Sequence, residues 1–167
     1  MTKKAKTVAV WILVIVIALG LLGSSGIIAL FVPPPTLTTR ELAFSCTTDA
    51  ATQFHIHPSL SIVADGKKFE IPANVGVSPA CLHPLHTHDN TGEVHVESPE
   101  PRDFTLGDFF AVWEKPLSRT QVLDYVATST HEIVMTVDGQ PNAEFENLVL
   151  KDKQQIVLEY KKMENKK

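Results

Sequence analysis

The chain has 167 residues, a formal charge of −4, 44% hydrophobic residues, seven histidines and two cysteines. Setting aside Lys3, Lys4 and Lys6 takes that charge from −4 to −7 for everything beyond them, so nucleic acid is excluded as a partner. No Walker loop, dinucleotide fingerprint, GxSxG elbow or internal repeat occurs, which removes the common nucleotide-binding and serine-hydrolase classes.

Residues 1–7 form a short basic tail, and Val8 to Val32 then runs for 25 residues without a charge. That exceeds the roughly 20 residues a helix needs to cross the hydrocarbon core of a bilayer. A cleaved signal peptide carries a shorter apolar run of about 7–15 residues before small residues. Gly20 to Gly26 offers such a site near Ser24 and Ser25, yet the apolar run resumes beyond it as IIALFV. The reading is an uncleaved single-pass helix over 8–32, with the lipid bilayer as its partner. Gly20, Gly23 and Gly26 suit packing against a helix of a membrane complex. The three lysines hold the N-terminus in the cytoplasm and send the C-terminal domain outside. Pro33, Pro34 and Pro35 end the helix and open an extended stalk over 33–44.

Residues 45–162 have the commonest length of one domain, and 163–167 form a solvated tail. QFHIHPSLSIVADGKKFEIP alternates, turns at Asp65-Gly66 and alternates again, a hairpin pattern. PLHTHDNTGEVHVES is a second hairpin around Asn90 to Gly92. Thr105 caps a helix carrying Leu106, Phe109, Phe110 and Trp113 at helical spacing, an aromatic set read as core. LSRTQVLDYVA reads as a second short helix capped by Ser118, and HEIVMTVDG and QQIVLEYKK read as strands. The order predicts an α+β domain: one small mixed or antiparallel sheet with one or two helices, β-grasp-like.

Cys46 and Cys81 both fall in the exported part, where two thiols most simply form a disulfide. The alternative makes Cys81 a thiolate ligand beside the histidines.

Four of the seven histidines lie within residues 81–97, and His55 and His57 form another H-x-H pair. Strand side chains alternate, so His55 and His57 share one face while Ile56, Leu60 and Ile62 share the other. Val94 and Val96 likewise set Glu93, His95 and Glu97 opposite. A four-residue turn over Asp89-Asn90-Thr91-Gly92, with Gly92 left-handed, puts His86 across from His95 and His88 across from Glu93. A turn one residue shorter throws both histidines onto the valine face. The first option predicts His55, His57, His86, His88 and His95 on one polar face around one ion. Neutral imidazole suits zinc, copper, nickel or iron, and copper or zinc is the expected cofactor. Asp89, Glu93 and Glu97 are then partners that orient the rings, or ligands themselves. His83, before a proline, and His131, opening a strand, read as solvated residues. In each segment, solvated histidines remain the alternative to a metal site.

HIHPSLSIVADGKKFEIPANVGV, CLHPLHTHDNTGEVHVESP and FTLGDFFAVW together resemble a family of exported or membrane-anchored microbial domains. Its shared patterns run H-x-H…DG…IP, C-x-x-x-LHTHD-x-[ST]-G-x-[IV]-H-[VI]-E and FTLG-x-FF. The resemblance covers Phe54 to Trp113 and implies importance for His55, His57, His86, His88, Asp89, Gly92, His95 and Glu97. It implies no activity. Cys81 falls on the family's cysteine, and Cys46 lies outside the matching stretch.

Three functions fit: an extracytoplasmic metal-binding domain for storage, delivery or support of a membrane complex; an accessory subunit of a membrane assembly without a functional metal; or a small histidine-metal hydrolase or lyase with Glu93 or Asp89 as base. About 118 residues leave little material for a deep substrate pocket, which favours the non-catalytic readings.

Overall fold

Two Asp-Gly turns frame the largest sheet. Asp65 and Gly66 both have positive φ, 49° and 75°, as do Asp138 and Gly139 at 51° and 76°. That pair of signs is the two-residue turn whose twist matches a hairpin. The first joins β2 (Ser59–Ala64) to β3 (Lys67–Phe69), and the second joins β11 (His131–Val137) to β12 (Gln140–Asn142). Strand β13 (Gln155–Lys162) lies between the two hairpins, antiparallel to β11 and parallel to β2, giving the order β12-β11-β13-β2-β3. Alternation along these strands buries Leu60 and Ile62, Ile133 and Met135, and Ile156 and Leu158.

The computed structural model describes residues 36–48 and 52–163. The expected tail, membrane helix and first stalk prolines, with residues 164–167, lie outside the described residues. Among the described residues no helix is long and apolar enough to cross a membrane.

The expected α+β, β-grasp-like domain on a single sheet is corrected: the described residues are mostly β, with thirteen strands in four sheets and only two short α-helices. Besides the five-stranded sheet, β1 (Phe54–Ile56), β7 (His95–Ser98) and β6 (Leu85–His86) form a three-stranded one. Strands β4 (Val77–Ser78) and β5 (Cys81–Leu82) pair, and so do β8 (Leu117–Ser118), β9 (Gln121–Val122) and β10 (Tyr125–Val126). This last meander replaces the second expected helix. The Ser118 hydroxyl accepts the Thr120 amide at 3.2 Å rather than capping a helix, and Leu123 takes a φ of 52°. Side chains that bond nearby backbone offer the chain a turn in place of a helix.

Helix α1 (Thr39–Ala43) occupies what the sequence read as stalk. A capping box between Thr38 and Glu41 starts it, and it buries Leu42 and Ala43. Arg40 donates to the Gly107 carbonyl at 3.0 Å and pairs with the buried Asp108 carboxylate at 3.0 Å. Helix α2 (Leu106–Val112) has the expected Thr105 cap, completed by Asp108. It buries Leu106, Phe109 and Phe110 in the cluster that also takes Leu85, Val94 and Val96. The three-stranded sheet therefore rests its apolar face on the core. Its other face carries the histidines.

Candidate metal centre

Strand β7 is the middle strand of the histidine sheet. Alternation puts His95 and Glu97 on one side while Val94 and Val96 are buried on the other. The register then sets His86 of β6 opposite His95, and His55 of β1 opposite Glu97. Leu85 is fully buried beneath, so the parity expected from the valines is the parity found.

His57 and His88 follow two residues after His55 and His86, just outside the ladders. Thr87 fixes the second of these: its amide donates to the Val75 carbonyl at 3.1 Å and its hydroxyl to the Pro72 carbonyl at 2.8 Å. With Thr87 buried inward, His88 emerges on the polar side. Gly76 passes so close that a Cβ there would stand 2.5 Å from the Leu85 carbonyl oxygen.

The expected hairpin around Asn90 is corrected in part. Asp89 Oδ1 accepts the Thr91 amide at 2.9 Å and its hydroxyl at 2.6 Å, and Gly92 has the anticipated positive φ, 93°. The β6–β7 ladder nevertheless stops at His86 and His95. Residues beyond it turn to β2, with Leu60 donating to the Gly92 carbonyl and Val94 to that of Pro58. A Cβ on Gly92 would collide with the Leu60 carbonyl oxygen. Glu93 consequently bridges to Ser59 and does not face His88.

All five expected histidines converge. The ring centroids of His55, His57, His86 and His88 lie 4.4–5.9 Å from that of His95. Within that cluster two groups have ligand atoms all within 4.8 Å of one another: His86, His88, His95 and Glu97, and His55, His57 and His95. Donors arranged tetrahedrally at about 2.0–2.1 Å from an ion stand about 3.3–3.4 Å apart. His86 Nε2 is 3.2 Å from His88 Nε2, His95 Nδ1 is 3.4 Å from Glu97 Oε1, and His86 Nε2 is 3.9 Å from the same oxygen. The first group is thus close to ligand spacing as it stands.

Hydrogen bonds fix the rings. His86 Nδ1 lies 2.9 Å from the His83 carbonyl, an acceptor only, so Nδ1 carries the proton and Nε2 turns its lone pair to the cluster. His55 Nε2 is 3.0 Å from Glu97 Oε1. His57 Nδ1 lies 3.9 Å from Asp152, whose carboxylate accepts the His57 amide at 3.0 Å. His95 Nδ1 is buried without a hydrogen bond, since its approach to Glu97 lacks the required geometry. A buried ring nitrogen left so is costly unless another partner completes it.

Burial pushes the His86 imidazole below the ordinary histidine pKa; the His83 carbonyl and Glu97 oppose this, while His88 and His95 add to it. Burial likewise lowers His95, with the charges of His88 and His57 adding to it and the Glu97 and Glu93 carboxylates opposing it. Both rings favour the neutral form that a metal needs.

The acids divide. Glu97 is inside the first group and is itself buried. Glu93 stays exposed at the edge, 3.4 Å from His95 Nε2. Asp89 is taken up by its turn and lies outside both groups; its bonds to Thr91 hold its carboxyl below the usual range. Asp152 was not legible in the sequence, because 95 residues separate it from His57.

Cys46 and Cys81 are disulfide-bonded, which rules out Cys81 as a thiolate ligand. His83 packs near that bond, its Nδ1 3.2 Å from the Ser45 carbonyl, and it contributes only its backbone oxygen to the cluster. His131 stacks on Tyr160 at 5.0 Å, and its Nε2 lies 3.6 Å from Asp65. Compared with known proteins, the chain matches no family model, no curated protein and no solved structure.

Proposed function

We propose that this domain is a metal-binding module held outside the cytoplasm, taking copper or zinc for storage, for delivery or in support of a membrane complex. The observation that carries the reading is the group His86, His88, His95 and Glu97, whose ligand atoms lie within 4.8 Å of one another. Three imidazoles and one carboxylate form a nitrogen-rich donor set suited to divalent copper or zinc. The orphaned His95 Nδ1 and the His83 carbonyl behind His86 support it further. The disulfide suits an oxidising compartment, and the uncharged run from Val8 to Val32 suits export.

The test is elemental analysis of the full-length chain, purified without chelator or affinity histidines, followed by titration with copper(II) and zinc(II). The reading expects a bound transition metal, or binding tighter than about micromolar. Metal-free protein that binds both ions more weakly sinks it and leaves the accessory-subunit reading.

A further inference from the structure

Two ligand groups, rather than one, meet at His95. The first is the deeper: His86 is fully buried and the Glu97 side chain is 10% exposed, and of its members only His88 is exposed. The second is shallow, with the His55 and His57 side chains 46% and 36% exposed. His95, at 17%, lies between them and belongs to both. We propose that the site has two alternative ion positions, an outer one on His55, His57 and His95 and an inner one on His86, His88, His95 and Glu97. A transition-metal ion passes between them with His95 as the residue common to both. This rests on the metal-binding reading above and specifies the route by which the ion enters.

Charge argues against filling both positions together. Two divalent ions repel with roughly four times the energy of two unit charges at the same separation. Glu97 is the only carboxylate in either group, and Glu93 is exposed beside them. One buried negative charge cannot offset four positive ones.

Geometry argues for the passage. Glu97 Oε1 is 3.0 Å from His55 Nε2, 3.4 Å from His95 Nδ1 and 3.9 Å from His86 Nε2, so one oxygen touches members of both groups. With an ion outside, Glu97 accepts from His55 Nε2–H and orients that ring, leaving Nδ1 as donor. With an ion inside, the same carboxylate becomes a ligand. The His57 ring centroid is 4.7 Å from that of His95, and the His88 centroid is 4.4 Å from it on the other side of the exchange. The two positions are therefore close enough for ligands of one group to be exchanged for those of the other around the shared imidazole.

Cobalt(II), read by its ligand-field absorbance, tests this on the full-length chain. Wild type should saturate at one ion. His55→Gln/His57→Gln should keep its affinity within about threefold, while loading and release to a chelator both slow by about tenfold, because the intermediate position is gone. His86→Ala/His88→Ala should still bind one ion, about tenfold or more weakly and with a different absorbance spectrum. His88→Ala alone serves if the double variant does not fold, since His86 is buried. Two ions bound with equal affinity overturn the exclusion. Unchanged exchange rates in the outer variant overturn the outer position, and so does loss of all binding from the inner variant in folded protein; in both cases the metal-binding reading stands. Wild type that binds no cobalt, copper or zinc overturns that reading itself.

Discussion

The five-stranded and three-stranded sheets use similar alternating segments for different ends. Strands β11 and β13 pair over seven residues, and β13 and β2 over six; β6 and β7 pair over only two and β1 and β7 over three. The long ladders enclose Leu60, Ile62, Ile133, Met135, Ile156 and Leu158, and each such side chain contributes about 1.5–3 kcal/mol on burial. The short ladders put polar side chains on their open face and lean on the same core from behind. Stability resides mainly in the first sheet, and the second is positioned by what surrounds it: Thr87, Gly92, the disulfide and α2. A site built this way tolerates changes to its ligands, because few of them hold the fold.

The sharpest way to break that contrast is in the large sheet. Leu158 is fully buried in β13, which is flanked on both sides, so Leu158→Ala should destabilise the domain by about 4–5 kcal/mol in urea melts. A loss below about 1 kcal/mol would place the stability elsewhere. Next in size is the covalent tie. Cys46 and Cys81 are 35 residues apart, and a loop of that length implies about 3–4 kcal/mol in the chain-entropy model. Cys46→Ser/Cys81→Ser should lose that much stability and also bind metal more weakly, because residue 81 anchors the chain leading to the His83 carbonyl. Equal metal affinity with and without the bond would detach the site from the disulfide.

Changes to the exposed ligands should do the reverse. His88→Ala should weaken zinc binding by tenfold or more, equal to about 1.4 kcal/mol, whereas His57→Ala should keep its affinity within about threefold, and in both the melting temperature of the metal-free form barely moves. A comparable fall in the metal-free form would mean these residues serve the fold. The smallest effect is that of pH. His86 and His95 have folded-state pKa values below the unfolded one, so the unfolded chain takes up protons first as pH falls. Metal-free stability should be flat above about pH 7 and decline as pH drops through the unfolded value of about 6.5, levelling below the folded values. His86→Gln should reduce that decline. Stability that rises on acidification would contradict the buried, neutral state of these rings.

Much of the site was legible because strand parity is a local property. Val94 and Val96 alternate with His95 and Glu97 in the sequence itself, and Ile56 separates His55 from His57 in the same way. Asp65-Gly66 and Thr105 likewise announced a turn and a cap through their own backbone chemistry. The second expected helix rests on Ser118 as a cap, and a serine is as well suited to starting a turn as to capping a helix. The deciding Ser118–Thr120 bond is a short-range competitor that hydrophobic spacing does not register. In the sequence Thr39–Ala43 reads as stalk, because its contacts, Arg40 with Asp108 and Gly107, lie about 67 residues away.

By itself the sequence determined which residues share a face: two H-x-H pairs, His95 and Glu97 opposite an apolar set, and two cysteines able to pair. Those properties follow from a period of two along the chain and need no partner strand. Only the tertiary structure decided how the faces meet. It placed His55 across from Glu97 and His86 across from His95, stopped the β6–β7 ladder after two residues, and turned Asp89 away into its own loop. It also divided five histidines into two groups that share the His95 ring, one built on the buried His86 and Glu97 and the other on the more exposed His55 and His57. Register between strands distant in sequence is set by core packing and by close backbone approaches such as Gly92 on Leu60, and no residue carries that information alone.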